Sequence, residues 1–107
     1  MIDRTFKALA DPSRRRMLAL LRDTDLAAGE LAAHFDMAFA SVSHHLQVLR
    51  DSELVLAQRD GQRIIYSLNT TVFQDALQHL LEIAPSPQSK KSESKKIPRN
   101  PKMKEVL

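Results

Sequence analysis

The chain has 107 residues, 43% of them hydrophobic, with two glycines and no cysteine. That is apolar material for one small core, and without thiols there are no disulfides, no thiolate metal sites and no thiol redox switch. The pI of about 9.5 suggests a nucleic-acid partner, but from Pro85 onward seven cations stand against two anions, a surplus of five, so residues 1–84 carry −2 of the total of +3. A nucleic-acid argument must therefore rest on where the arginines sit, not on net charge.

No apolar run approaches the ~20 residues of a membrane-spanning helix. The opening Met1-Ile2-Asp3-Arg4-Thr5-Phe6 leads directly into an amphipathic pattern without a signal-peptide core, so a cytoplasmic protein with no membrane insertion is expected. Residues 2–10 read as a short helix with Ile2, Phe6, Leu9 and Ala10 on one stripe. Asp11-Pro12 restarts the chain: Asp is a strong N-cap and Pro suits the first helical position. A second helix over 12–22 should bury Met17, Leu18, Leu20 and Leu21, and a third over about 28–35 should turn Leu31, Ala32 and Phe35 inward. Asp36-Met37-Ala38 is a tight turn before a fourth helix reaching about Asp51.

This fourth helix is the most informative stretch. Val42, Leu46 and Leu49 share one side, with Phe39 nearby, and Ala40, Ser41, His44 and Gln47 share the other. The outer side is small and hydrogen-bonding, without the Glu/Lys mixture of an ordinary solvated helix. Short polar side chains let a helix lie close to base edges in a major groove. A short helix, a tight turn and such a helix form a helix-turn-helix.

The hydrophobic period then changes. Residues 54–59 and 63–68 are rich in β-formers, with Asp60-Gly61 between them as a hairpin signal. The hairpin is the wing of a winged helix. A last helix over about 71–83 carries Val72, Phe73, Ala76, Leu77, Leu80 and Leu81, an apolar arc wide enough to suggest a second partner surface. The expected fold class is mainly α with a two-stranded β-wing: a winged helix-turn-helix of about five helices, for which a dimer would cover that surface. Residues 1–84 form the DNA-binding and dimerisation domain. Residues 85–107 form a Ser/Pro/Lys-rich basic tail, expected to be disordered, that either follows DNA or only solubilises the chain.

The same pieces, in order, resemble the ArsR/SmtB family of winged-helix repressors over residues 3–83. They are Phe6-Lys7-Ala8-Leu9-Ala10-Asp11-Pro12-Ser13-Arg14-Arg15-Arg16, Gly29-Glu30-Leu31-Ala32, Val42-Ser43-His44-His45-Leu46, Val48-Leu49-Arg50 and the wing from Arg59 to Leu68. The chain is most similar to the metal-independent, SdpR-like autorepressor branch. The resemblance implies a homodimer built from the first and last helices, a pseudo-palindromic double-stranded DNA operator and repression by occupying it. An anti-repressor protein or an inducer would lift that repression. It also implies where a metal would bind in relatives. The cysteine pair at the start of the helix-turn-helix is Ala27 and Gly29 here. On the last helix His79 and Glu82 match only one half of a second site, whose other half falls on Asn69 and Thr71, poor zinc ligands. No metal and no other cofactor is expected. Three departures stand out: Ala27 and Ala38 replace helix-capping residues, and Phe39 replaces a polar one.

Ser41, Ser43 and His44 are the candidate base-edge and phosphate contacts, the plainer reading being serines that only cap a surface helix. His45 either braces the helix through a ring hydrogen bond or reaches a phosphate. Gln47 and Arg50 sit where a flanking phosphate could pass. Arg59, Gln62 and Arg63 flank the hairpin tip and suit a phosphate or minor groove, or else discourage edge pairing by charge. Arg14-Arg15-Arg16 opens the second helix, where cations oppose the helix dipole, so helix stability does not explain them. Phe6, Leu9, Phe73, Leu77 and Leu80 are the candidate dimer interface. No nucleophile with a placed base and no Gly-rich phosphate loop points to an enzyme. The competing reading is a winged-helix protein-interaction module that has lost operator binding.

Overall fold

The computed structural model describes residues 2–85, in two compact units: residues up to Leu77, and Gln78 onward. The basic tail from Ser86 lies outside the described residues. In chain order the elements are α1 (Ile2–Leu9), α2 (Pro12–Asp23), β1 (Leu26–Ala27), α3 (Ala28–Ala32), α4 (Phe39–Asp51), β2 (Val55–Asp60), β3 (Arg63–Leu68) and α5 (Thr70–Ile83). The sheet has three strands in the order β1-β3-β2, all antiparallel, one more than the hairpin alone suggests. The added strand is two residues long: Leu26 and Ala27 pair with Tyr66 and Ile65 and tie the start of the helix-turn-helix to the wing.

Helix boundaries follow local chemistry. Asp11 caps α2 by accepting the Arg14 amide at 3.0 Å, with Pro12 as the first helical residue. Arg14 and Arg15 then reach back across the α1–α2 turn. Arg14 Nε donates to the Ala8 carbonyl at 2.7 Å and Nη2 to the Lys7 carbonyl at 3.3 Å, while Arg15 Nη1 donates to the Leu9 carbonyl at 2.8 Å. Cations that are misplaced at the start of α2 are thus well placed at the end of α1, where orphan carbonyls and the negative dipole end favour them. Arg16 lies over the Phe35 ring at 4.8 Å.

α4 ends in a Schellman arrangement: the Leu54 amide donates to the Leu49 carbonyl and the Glu53 amide to the Arg50 carbonyl. The residue that turns the chain is Glu53, at φ 65°. The hairpin turn is Gly61-Gln62, closed by the Asp60–Arg63 pair, with Gly61 at φ 67°. Positive φ at the first central position alone is what glycine supplies. Asn69 Oδ1 accepts the Val72 amide at 3.4 Å and starts α5.

The core of the first unit gathers Ala8, Met17, Leu18, Leu21, Leu31, Val42, Leu46, Leu49, Leu54 and Val55. Leu46 is fully enclosed, so truncation to alanine would cost about 2–5 kcal/mol. In α1 the buried positions are Thr5 and Ala8, whereas Ile2, Phe6 and Leu9 are half-buried and Ala10 is exposed beyond the helix end. The apolar stripe of α1 is thus only half-covered, and the small buried residues Thr5 and Ala8 let α1 lie close to α2 and α4. Leu20, Ala32 and Phe35 pack at the margin of the core. On α5 only Ala76 is buried; Val72 and Phe73 are half-buried.

Candidate nucleic-acid interface

Helix α4 follows Ala38, the cap position, whose backbone is extended and whose methyl offers no cap. Val42, Leu46 and Leu49 anchor it in the core, leaving Ala40, Ser41, Ser43, His44, Gln47 and Arg50 exposed. This outward face is the one expected from the sequence. Among the described residues, the side chains of Ser41, Ser43, His44 and Arg50 make no hydrogen bond or ion pair, so they meet a partner without breaking one. Gln47 differs: its amide donates to Asp51 one turn on at 2.9 Å. Phe39 does not join the apolar stripe. It stands 55% exposed on the outer side.

His45 is half-buried and braced. Arg14 Nη1 meets its Nδ1 at 3.2 Å. Asp11 Oδ2 lies 4.0 Å from the same Nδ1. The Asp11 carboxyl is held below its ordinary value chiefly by the Arg14 amide, with the His45 and Arg14 charges adding to the effect. At the other end of α4, Arg4 donates to the Asp51 carbonyl at 3.3 Å, Thr5 to the Ser52 carbonyl at 3.4 Å, and Ser52 to the Leu49 carbonyl at 2.9 Å. Polar side chains of α1 and α2 thus fix α4 at its middle and at its end.

An ion pair adds to the β1–β3 pairing that ties the wing to the helix-turn-helix. Arg63 Nη2 lies 2.9 Å from Glu30 Oε1, and the same oxygen accepts the Ala27 amide at 2.8 Å. Glu30 supplies half of a capping box; alanine at position 27 has no oxygen for the other half. The Ala27 amide, and then Arg63, hold the Glu30 carboxyl below its ordinary value. Arg59 folds over the turn, donating to the Gly61 carbonyl at 3.3 Å, and Gln62 is exposed at the tip. Register separates the two wing arginines: Arg59 pairs with Ile64 and Arg63 with Asp60, so they leave the ribbon from opposite faces.

Of the candidate interface positions on the first and last helices, Phe6, Leu9 and Phe73 are half-buried, while Leu77 and Leu80 on α5 are 46% and 45% exposed. His79 and Glu82 are exposed on the same helix. Among the described residues no group of three His, Cys, Asp or Glu side chains is placed to hold a metal ion, and no helix is long and apolar enough to cross a membrane.

Sequence reasoning did not find the Glu30–Arg63 pair or the Arg14–His45 brace. Glu30, three residues after the cap position Ala27, carries a signal for its bond to the Ala27 amide but none for Arg63. The Arg14–His45 brace joins residues 31 apart and had none.

The family described as bacterial regulatory protein, arsR family, matches residues 11–56, from the α2 cap to the first residues of β2. The transcriptional repressor SdpR of Bacillus subtilis (strain 168) is 46% identical over 80 residues, 75% of this chain and 89% of that one. The arsenical resistance operon repressor of Staphylococcus aureus is 39% identical over 74 residues, 69% of this chain and 71% of that one. Among solved structures, an ArsR family transcriptional regulator superposes with a TM-score of 0.70 at 32% identity, covering 75% of this chain and 88% of that one. The chain belongs to the arsR family of bacterial regulatory proteins.

Proposed function

We propose that the chain is a sequence-specific transcriptional repressor that binds a pseudo-palindromic DNA operator as a homodimer and acts in the cytoplasm. One observation carries this reading: α4 turns a small, unpaired hydrogen-bonding face outward beside an arginine-bearing wing. In this reading Ser41, Ser43 and His44 meet base edges and nearby phosphate, Arg50 and Gln47 meet the flanking backbone, and Arg59 and Gln62 meet the backbone or minor groove beside it. His45 and Arg63 act from behind, His45 by holding α4 and Arg63 by holding the wing. The role is binding rather than catalysis, and it calls on no cofactor.

The dimer is supported by the apolar residues that α5 leaves open, Leu77, Leu80, Leu81 and Ile83, which a second copy would cover together with Phe6, Leu9 and Phe73. A C2 dimer spaces two recognition helices about one DNA turn apart, or a multiple of it. The test is binding of the purified chain to its own promoter and to random duplex at several salt concentrations. Tighter promoter binding by at least ~10³-fold, with a steep salt slope, is expected. Equal affinity for both duplexes, or none, would sink the operator reading and leave the protein-interaction module.

A further inference from the structure

The leading edge of α4 is apolar where the rest of its outward face is polar. Ala38, Phe39 and Ala40 are all exposed and offer no side-chain hydrogen bond. Phe39 is 55% exposed, whereas Val42 on the following turn is fully buried. A phenylalanine brings about 150–250 Å² of side-chain surface that gains nothing from water. One helical turn on, Ser43 falls on the same line of the helix surface as Phe39. Both line a cleft of about 570 Å³, whose opposite wall is Glu30, Arg63, Ile64 and Tyr66. Phe39 is therefore continuous with the face assigned to DNA, between the first base-edge candidate and the wing.

We propose that Phe39 reads operator sequence by packing its ring against the C5-methyl group of a thymine in the major groove. The N-terminal residues of a recognition helix are those that reach base edges. The thymine methyl is the apolar group on that groove wall, and phenylalanine is among the side chains that meet it. Cytosine carries only hydrogen at C5 and an amino donor in place of the neighbouring O4, so it offers the ring no methyl to pack against. Phe39 shares its cleft with Ala27, Ala28, Ile64 and Tyr66 and with the Glu30–Arg63 pair; the hydrogen-bonding face that it continues, Ser41, Ser43 and His44, is what favours a DNA duplex as the occupant. This inference rests on the operator-binding reading.

The experiment begins with duplexes selected from a randomised pool by the full chain. Each thymine of the selected duplex is then replaced by deoxyuridine, which removes one methyl and leaves base pairing intact. Fluorescence anisotropy gives the affinities of wild type, Phe39→Ala and Phe39→Leu, and circular dichroism melts show that each variant is folded. In wild type, uracil at the contacted thymine of a single half-site should weaken binding about four-fold, the worth of one buried methyl group. Phe39→Ala should bind the thymine and uracil duplexes alike, and Phe39→Leu should keep part of the discrimination. Wild type indifferent to uracil at every thymine, or Phe39→Ala as sensitive as wild type, overturns the assignment of Phe39 alone. A pool from which no sequence is enriched overturns the operator reading itself, and the assignment of Phe39 with it.

Discussion

Arg14 is the residue whose replacement distinguishes a positioning role from DNA contact most cleanly. Its guanidinium serves three acceptors: the Ala8 carbonyl at 2.7 Å, His45 Nδ1 at 3.2 Å and the Lys7 carbonyl at 3.3 Å. The first two bonds are partly buried and the third is exposed. Hydrogen bonds from a charged donor contribute about 1.5–3 kcal/mol when shielded and much less in water. Arg14→Ala should therefore destabilise the fold by about 2–3 kcal/mol. In a domain of this size that lowers Tm by roughly 8–20 °C. Arg14→Lys should recover only part of the loss, because one ammonium on a flexible stem cannot span acceptors that a rigid fork reaches at once.

The effect on DNA follows from His45. Without the brace, the middle of α4 loses its polar tie to the α1–α2 turn, while every outward side chain remains. At a temperature where the variants are folded, Arg14→Ala should lower the ratio of operator to random-duplex affinity and leave the salt slope unchanged. Differential scanning calorimetry and anisotropy titrations at several salt concentrations measure both. A variant that melts within about 2 °C of wild type, or a salt slope reduced by about one unit, would refute the positioning role, the second by showing Arg14 on a phosphate.

The remaining predictions address separate parts of the chain. Leu77→Glu should give monomer or unfolded chain by sedimentation, because it places an unpaired charge in the proposed dimer interface; a stable dimer would move that interface elsewhere. Glu53→Gly should raise stability by about 1 kcal/mol, since it removes a side chain from a left-handed position; an unchanged urea midpoint would show the position unstrained. Asp11 and Glu30 both have folded pKa values below their ordinary ones, so the stability they contribute is present above about pH 4.5 and is lost as pH falls through the folded values. Asp11→Asn, which keeps a capping side chain without the charge, should flatten that acid limb; an identical urea-midpoint profile from pH 2.5 to 7 contradicts it. Ser43→Ala with His44→Ala should cost roughly 1–3 kcal/mol of operator discrimination per lost base contact, while Arg59→Ala should weaken specific and random binding alike; the reverse pattern would exchange the roles of helix and wing.

The parts of the fold legible in the sequence are those where local periodicity and burial agree. Val42, Leu46 and Leu49 recur at helical spacing, and the structure buries all three. On α1 the apolar stripe is half-buried, and the fully buried positions are Thr5 and Ala8, whose small size lets helices approach and which a hydrophobicity pattern does not register. β1 was invisible for another reason. Two residues carry no period, and Leu26-Ala27 is a strand only because β3 offers it an edge. Phe39 lies close to Leu46 in angle, and its 55% exposure follows from its place as the first residue of α4, which no angular pattern registers. At the candidate interface the exposed polar face could be read directly, whereas the side chains that hold it could not. Arg14, Glu30 and Thr5 act on groups far along the chain, and residue type alone does not name a distant partner.

The cations of the first unit therefore divide by what they already hold. Arg4 and Arg15 are committed to helix-end carbonyls, Arg14 to such carbonyls and His45, Arg16 to the Phe35 ring, and Arg63 to Glu30. A phosphate competes for any of these only by displacing an existing partner, and for Arg14 the partner includes a partly buried carbonyl that would be left unsatisfied. Arg50 carries no such commitment among the described residues, and Arg59 gives up only an exposed bond across its own turn. The electrostatic part of DNA binding should therefore concentrate at Arg50 and Arg59, one on the recognition helix and one on the wing. Residues 1–84 are slightly acidic overall, so attraction to DNA depends on where the available cations sit: Arg50 and Arg59 lie on the two elements that would face the operator, whereas Lys7 lies on α1 and Arg22 is paired with Asp23.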